Sequence, residues 1–502
     1  MDLLQNNYPY FACTSEQCRE LDEKTISEFG IDGFTLMETA AMQAARFIGE
    51  REGINKRGLF ICGKGNNAGD ALAAVRYLVQ EYQHQAVIFF VSGHDDLSDD
   101  ADKNYRHLEK LKTDGYKITF INEPGSLSDF DCDYITDGML GTGLSSPLRS
   151  GYLDTTEWIN RQASTIYAID IPTGISADNG EILGDAVRAD YTLTFGVKKT
   201  GFLFNGGKSH TGEIIHFKLP FSRSHIRSDG LIFDETWLDQ IPEIKRKGKH
   251  KYDKGVVHVL AGSEGLTGAA IMACKSAWNT GAGAVILYAP KQLLPVYECT
   301  IPEIIKVPLG SNDDAFYKNI HTPAVLEMVE KRGGTLLVGP GIGLKPETKA
   351  FVLEILRSCE MNTILDADGL SVWQEFKDDP GKQKLENMIL TPHPGEANNY
   401  LDADFKSDFE RLKWTKNFTS EYSCAIFSKG NPAIFGYMEN AYISGYDTTI
   451  FSRAGFGDVL SGTIAANLAI SGNIELSVIR ALLEGYKKAK LNKEPVSPRD
   501  IL

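Results

Sequence analysis

Short apolar runs of strand length recur along this 502-residue chain, and most are followed by a glycine-rich turn and then a helical, amphipathic stretch. In the first part, Ser15 to Phe29 reads as a helix capped by Ser15, with Leu21, Ile26 and Phe29 near one face and Gly30 closing it. A second, Ala- and Met-rich helix runs from about Thr35 to Ile48. Gly58 to Gly63 is a buried-type strand leading into Gly63-Lys64-Gly65-Asn66-Asn67-Ala68-Gly69-Asp70 and a helix from Ala71 to Tyr82. The alternation continues with strands at 86–91, 117–121, 134–137 and 165–169 and helices at 100–113 and 152–163. Short strands at 192–195 and 214–217 flank the turn Gly206-Gly207. Strand, glycine loop, helix is the layout of doubly wound α/β folds, whose ligands sit at the carboxyl ends of the strands. Three turns belong to that rim: residues 63–70, 137–144 and 170–174.

Residues 220–247 change character, mixing Pro220, Arg223, Arg227, Pro242 and the basic run Lys245-Arg246-Lys247, and read as a join between two domains, 1–222 and 223–502. A second α/β pattern follows, with strands at 256–261, 284–289, 335–338, 362–365, 388–390 and 424–427 and a helix from Ala270 to Thr280. Its strand-end turns carry Gly262, Gly268, Gly341, Asp368, His393, Glu396, Lys429, Gly457 and Asp458. These are the parts of a nucleotide site: backbone amides, a lysine and carboxylates.

Composition narrows the field. A chain of this length exceeds one typical core, and 42% hydrophobic with 24% charged residues is ordinary for a globular protein. The net charge of −15 argues against a nucleic-acid surface. The eight cysteines are scattered, with no C-x-x-C pair, which fits a reducing, cytoplasmic setting. Met1 to Thr14 lacks the basic and apolar regions of a signal peptide, and no apolar run spans a bilayer.

The chemistry concentrates in two loops. Gly65 to Asp70 is out of frame with G-x-G-x-x-G, and its asparagines and aspartate are hard oxygen donors, suited to a cation or a polyhydroxyl ligand as well as to phosphate. In Gly455-Phe456-Gly457-Asp458, a carboxylate stands at a phosphate-welcoming helix start. Asp458 is there either as a solvated helix cap or as a base that takes a proton from an attacking hydroxyl. No Walker A sequence is present.

Together these motifs resemble two families in tandem. Leu36-Met37-Glu38, Gly65 to Asp70, Gly141-Thr142-Gly143 and Asp170-Ile171-Pro172-Thr173-Gly174 resemble the YjeF N-terminal, NAD(P)H-hydrate epimerase family. Thr267-Gly268-Ala269-Ala270, Gly339-Pro340-Gly341, Thr391-Pro392-His393-Pro394-Gly395-Glu396 and Gly457-Asp458-Val459-Leu460-Ser461-Gly462 resemble the ADP-dependent (S)-NAD(P)H-hydrate dehydratase family. The resemblance implies an N-terminal Rossmann-like and a C-terminal ribokinase-like three-layer sandwich. It also implies repair of hydrated NADH and NADPH by epimerisation and ADP-dependent dehydration.

Carried over by position, the resemblance implies that Asn66, Asn67, Ala68, Gly69, Asp70, the loop Gly141, Thr142, Gly143, Leu144, Ser145, Ser146, Pro147, and Asp170 hold the hydrate in the first half. Asp170 would be its acid/base, and Asn67, Asp137 and Thr173 would bind a potassium ion. In the second half, Ala269, Gly341, His393 and Asp458 would contact the hydrate. Lys429, Gly430, Asn431, Pro432, Ala433 and Gly457 would hold ADP, with a magnesium ion and with Asp458 as base. The partners implied are NAD(P)HX and ADP, with no nucleic acid or membrane, in a homo-oligomer. The chain departs from the family pattern at Ala68, for glycine, at Ala433, for threonine, at Phe456, for a small residue, and over Thr448 to Arg453. Two other readings are a ribokinase-like small-molecule kinase and a non-catalytic YjeF-type scaffold.

Overall fold

The computed structural model describes residues 11–121, 127, 130–245, 251–492 and 496–502. The start of the segment read as lacking a leader, and most of the basic run at 245–247, lie outside them. The chain divides into two compact units, Met1–Ile232 and Phe233–Leu502.

In the first unit, β1 (Phe11–Cys13) comes first among the described residues. Seven strands then build one sheet: β2 (Arg57–Cys62), β3 (Gln85–Phe90), β4 (Ile118–Ile121), β5 (Tyr134–Gly138), β6 (Thr165–Ile169), β7 (Tyr191–Phe195) and β9 (Glu213–Phe217). Their order is β4-β3-β2-β5-β6-β7-β9, and every pair is parallel. β8 (Lys198–Lys199) and β10 (Gly230–Phe233) flank β1. Alternation along β2 sends Phe60 and Cys62 to one face and Leu59 and Ile61 to the other, each into its own buried cluster. Helices Gly33–Glu52 and Asn66–Glu81 cover the first face through Ala41, Ala45, Leu72 and Val75, and Ser150–Ile159 covers the second through Ile159. This makes three layers. The strand order reverses at β2, whose neighbours are β3 and β5, so a crevice opens at the carboxyl ends of β2 and β5.

The second unit holds β11 (Val256–Leu260), β12 (Ala284–Pro290), β13 (Ile305–Leu309), β14 (Thr335–Val338), β15 (Asn362–Leu365), β16 (Met388–Leu390), β17 (Ala425–Ser428), β18 (Ile434–Tyr437) and β19 (Asn440–Ser444). Their order is β13-β12-β11-β14-β15-β16-β17-β18-β19, parallel through β17 and antiparallel after it. Helix Pro346–Ser358 packs Phe351 and Ile355 into the cluster on one face, and helices Thr267–Thr280 and Phe456–Ser471 pair with each other. Here the order reverses between β11 and β14, where Gly262 N donates to Pro340 O at 2.8 Å.

Several elements differ locally from expectation. The first helix, Ser15–Ser27, is capped by Thr14 rather than Ser15. Thr14 Oγ1 accepts from Gln17 N at 3.3 Å and Gln17 Oε1 accepts from Thr14 N at 2.9 Å, a reciprocal box that Gln17 makes possible only from position 14. Leu21 is buried, but Ile26 and Phe29 are 43% and 56% exposed, so the apolar face of this helix is shorter than its pattern suggests. The helix expected at Ala71 starts at Asn66, so Asn66 to Asp70 form its first turn. Likewise the second unit's first helix starts at Thr267, and Gly207–His210 is a helical turn.

Candidate functional site

At the crevice of the first unit, the helix Asn66–Glu81 has Gly65 as N-cap with no side-chain cap bond, which leaves first-turn amides open to an anion. Ala68 is fully buried in that turn with no left-handed backbone, so its methyl is accommodated where the family has glycine. A pocket of about 180 Å³ gathers Asn66, Asp70, Thr142 and Asp170, and adds Cys18, Asp22 and Lys199. Gly143 to Pro147 are not part of its lining, and Gly141 packs instead against Asn67, where an added methyl would lie 3.3 Å from Asn67 Cβ.

Asp170 adopts φ +64°, a left-handed conformation that a non-glycine residue keeps only when its surroundings hold it. They do so here. Asp170 N donates to Leu193 O at 2.8 Å, and Oδ1 accepts from the buried Lys199 ammonium. Lys199 also donates to Thr194 Oγ1 at 2.9 Å, which fixes its head. At Asp70, burial, then the charges of Asp170 and Asp22, outweigh that of Lys199 and push the carboxyl well above the usual range. Sequence reasoning missed Lys199 and Asp22. The only trace of Lys199 was its place just after the strand that follows Asp170.

Beneath this pocket lies a second group. Thr173 donates from N to Asp137 Oδ2 and from Oγ1 to Asp137 Oδ1, both at 2.8 Å. Burial raises the Asp137 carboxyl to about 6 against the bonds from Thr173 and Met139 N, which lower it. Asn67 is buried, and neither its Oδ1 nor its Nδ2 has a partner among the described residues. A buried amide with free acceptor capacity, a carboxylate and a hydroxyl are oxygen donors of the kind that fit a hard monovalent cation.

In the second unit, a cavity of about 900 Å³ is lined by His393, Glu396, Lys429, Gly430, Asn431, Ala433, Gly457 and Asp458, and also by Asp366. Gly455 caps the helix Phe456–Ser471 at φ +98° with no side-chain cap bond, so Asp458 is a first-turn residue and not the cap. Burial, followed by the charges of Asp366, Asp368 and Glu396 against that of Lys429, raises the Asp458 carboxyl to about 7. That is where a general base works best near neutrality.

Lys429 Nζ donates to Asp366 Oδ1 at 2.6 Å. Burial opposes its charge, but Asp366, Glu396 and Asp458 outweigh burial and hold the ammonium above its ordinary value. Nζ would lie 3.3 Å from a methyl placed on Gly457, which sets the cation at the helix start. Asp366 Oδ2 is buried with no partner among the described residues, so it too has capacity for a cation. Sequence reasoning had put Asp368 in the site rather than Asp366. Asp368 Oδ2 instead accepts from Gly343 N at 2.9 Å and braces a turn.

His393 caps its short helix, accepting from Glu396 N at 3.2 Å while Glu396 Oε2 accepts from His393 N at 2.8 Å. Pro432 is not in the cavity lining. Ala269 and Gly341 lie outside it as well, but close together: a methyl on Gly341 would be 3.0 Å from Ala269 Cβ. Phe456 is 4% exposed and packs edge-on to Phe451 at 5.4 Å, in a cluster with Val459, Val496 and Ile501. The same cavity is lined by Phe456 and Phe451, so the ring packs under the turn at the cavity wall.

Residues 33–201 match the family model of the YjeF-related protein N-terminus, and residues 257–496 match that of NAD(P)H-hydrate dehydratase. The bifunctional NAD(P)H-hydrate repair enzyme of Dictyoglomus turgidum is 32% identical over 488 residues, spanning 94% of this chain and 92% of its own. That of Salinibacter ruber is 30% identical over 487 residues, spanning 91% and 87%. A ribokinase-like superfamily protein of Enterococcus faecalis is 20% identical, with a TM-score of 0.46, over 54% of this chain and 92% of its own. The chain belongs to the bifunctional NAD(P)H-hydrate repair enzyme family.

Proposed function

We propose that the chain repairs hydrated NADH and NADPH, with residues 1–222 interconverting the R and S hydrates and residues 223–502 dehydrating the S form at the expense of ADP. The observation that carries the reading is the Asp458 carboxylate at an uncapped helix start, in one cavity with the Lys429–Asp366 pair.

Hydroxide is a poor leaving group, and phosphorylation makes it a good one. Asp458 takes the proton of the ring hydroxyl as its oxygen attacks the terminal phosphorus of ADP, and AMP departs. Lys429 and the amides at Gly457 meet the charge that develops on the transferred phosphoryl group. Phosphate then leaves with the C–O bonding pair while the neighbouring ring carbon gives up a proton to solvent, and the C–H pair becomes the restored double bond, so the products are NAD(P)H, AMP and phosphate. Asp366, whose Oδ2 is buried without a partner among the described residues, is the carboxylate that would hold magnesium together with nucleotide phosphates, and the ion would supply neutralisation of phosphate charge. Gly430, Asn431, Pro432 and Ala433 complete the nucleotide loop, and Ala269, Gly341 and His393 face the hydrate.

In the first half, Asn66, Asp70, Thr142 and Asp170 hold the hydrate in the pocket, and the rest of Asn66 to Asp70 and of Gly141 to Pro147 would have to close on the bound ligand to reach it. Asp170 moves the proton at the hydrated carbon, paired with Lys199. Asn67, Asp137 and Thr173 would hold potassium, whose charge would steady the loops around the ligand. Eight free cysteines support a reducing, cytoplasmic setting. Among the described residues no helix is long and apolar enough to cross a membrane. The same reading carries a homo-oligomer, which light scattering on the purified chain measures.

The test is to mix both hydrates with the protein, ADP and magnesium and follow the returning dihydronicotinamide absorbance. Recovery of both epimers is expected. Recovery of one alone removes the epimerase, and no recovery with ADP or ATP removes the dehydratase. A kinase would instead accumulate a phosphorylated hydrate.

A further inference from the structure

Arg411 is a fully buried arginine outside the cavity lining. It lies on the helix Asp408–Tyr422, behind the loop that joins β17 to β18. A guanidinium has five N–H groups, and here each has an acceptor. Nε donates to Asp408 Oδ1 at 3.1 Å and Nη2 to the same oxygen at 2.9 Å. Nη1 donates to Ser428 O at 3.0 Å and Ser428 Oγ at 3.2 Å, and Nη2 to Pro432 O at 2.5 Å. Ser428 and Pro432 are the two ends of Lys429-Gly430-Asn431, so one rigid group ties down both ends of the stretch that lines the cavity.

The middle of the stretch is shaped to the same group. Gly430 has φ +146°, and a methyl there would lie 2.7 Å from Arg411 Nη2 and 2.8 Å from Cζ. The guanidinium therefore rests against the Gly430 backbone. From the cavity side, Thr448 Oγ1 donates to Gly430 O at 2.6 Å, and Lys429 N donates to Pro392 O at 2.9 Å.

A buried ion pair is a weak source of stability, because desolvation offsets most of the attraction. Burial lowers the Arg411 value, with Asp408 opposing, and Asp408 is itself 41% exposed in its side chain. What the arrangement does provide is one conformation of the loop. Lysine could not reproduce it, since a point charge with three donors cannot span both carbonyls in a plane.

We infer that Arg411 is the positioning residue of the nucleotide loop, fixing Lys429 to Pro432 in the shape that receives the diphosphate end of an adenine nucleotide without touching it. This rests on reading the second unit as an ADP-dependent dehydratase. Nucleotide binding is therefore measured by calorimetry, apart from turnover, on the full-length wild-type chain, R411K and G430A, alongside steady-state dehydration, thermal melts and epimerisation.

For R411K the expected result is a KM and Kd for ADP raised about tenfold or more, with kcat at saturating ADP lowered as well because Lys429 moves with the loop, and with epimerisation unchanged. G430A, which pushes on the guanidinium from the other side, is expected to raise the same constants, and the double variant to add little beyond either single one. Folded R411K and G430A with wild-type ADP constants would overturn the inference. So would additive effects in the double variant. Should R411K fail to fold, D408A, which frees the same guanidinium from a residue outside the cavity lining, decides by the same ADP constants. Wild-type protein that binds ADP without dehydrating the hydrate defeats the proposed function and leaves the Arg411 inference to the calorimetric arm. Wild-type protein that binds no ADP defeats both.

Discussion

Replacing Asp458 by Asn separates the catalytic from the structural consequences of one buried carboxyl. With its value raised to about 7, the group is half ionised at neutral pH. The ionised fraction is about one-tenth at pH 6 and about nine-tenths at pH 8. Dehydratase kcat/KM of the wild type therefore climbs across that window and levels above it. Glu396 is raised in the same direction by burial, so the observed midpoint belongs to the group of carboxyls and Lys429 together.

D458N lacks the base and is expected to lose about 10²- to 10⁴-fold in dehydratase turnover. Stability moves the other way. A carboxyl whose folded value lies above its unfolded one binds more protons when folded, so its contribution to stability is whole below about pH 4 and is lost as pH rises towards 7. The variant should melt higher than wild type at pH 8 and show no gain at pH 4. Turnover and thermal midpoints, measured on both proteins from pH 4 to 8.5, make the check. Activity of D458N within tenfold of wild type, or a wild-type profile flat between pH 6 and 8, would refute the assignment of Asp458 as base.

Three more outcomes follow from the geometry. K429M removes a cation that lowers Asp458, so the acid limb of the dehydratase profile should shift to higher pH while ADP affinity falls; a limb that stays in place argues against the pair. F456A empties a buried aromatic site and should cost about 3–5 kcal/mol of stability in denaturant titrations, since a Phe truncated in a core leaves a cavity. N67L replaces two unpartnered buried amide atoms with a methyl pair, so it should fold at least as well as wild type yet lose any acceleration of epimerisation by potassium over sodium; an unchanged potassium response would place the ion elsewhere.

The alternation of strands and helices, the two α/β patterns and the loops at the strand ends were legible in the chain itself, whereas the order of strands within each sheet was not. A buried parallel strand is a continuous apolar run, and the turn after it must be small or polar. Gly457-Asp458 and Asn66-Asn67 stand out for that reason, because chemistry-bearing residues at such turns have no packing role. Folding alone decided which distant residues complete each site. Lys199 reaches Asp170 because β8 follows β7 past the end of β6, and Asp366 reaches Lys429 because β15 and β17 both neighbour β16.

Whether Asp458 was a cap or a base depended on Gly455 taking the cap position, a backbone angle that no residue type announces by itself. Asn66 to Asp70 are helical because the strand directly feeds the helix, and this turns Ala68 from a misfit into a core residue. Local pattern follows from hydrophobic burial and backbone sterics acting within a few residues. The pairing of charges across tens or hundreds of residues follows only from the sheet that brings strand ends to one edge.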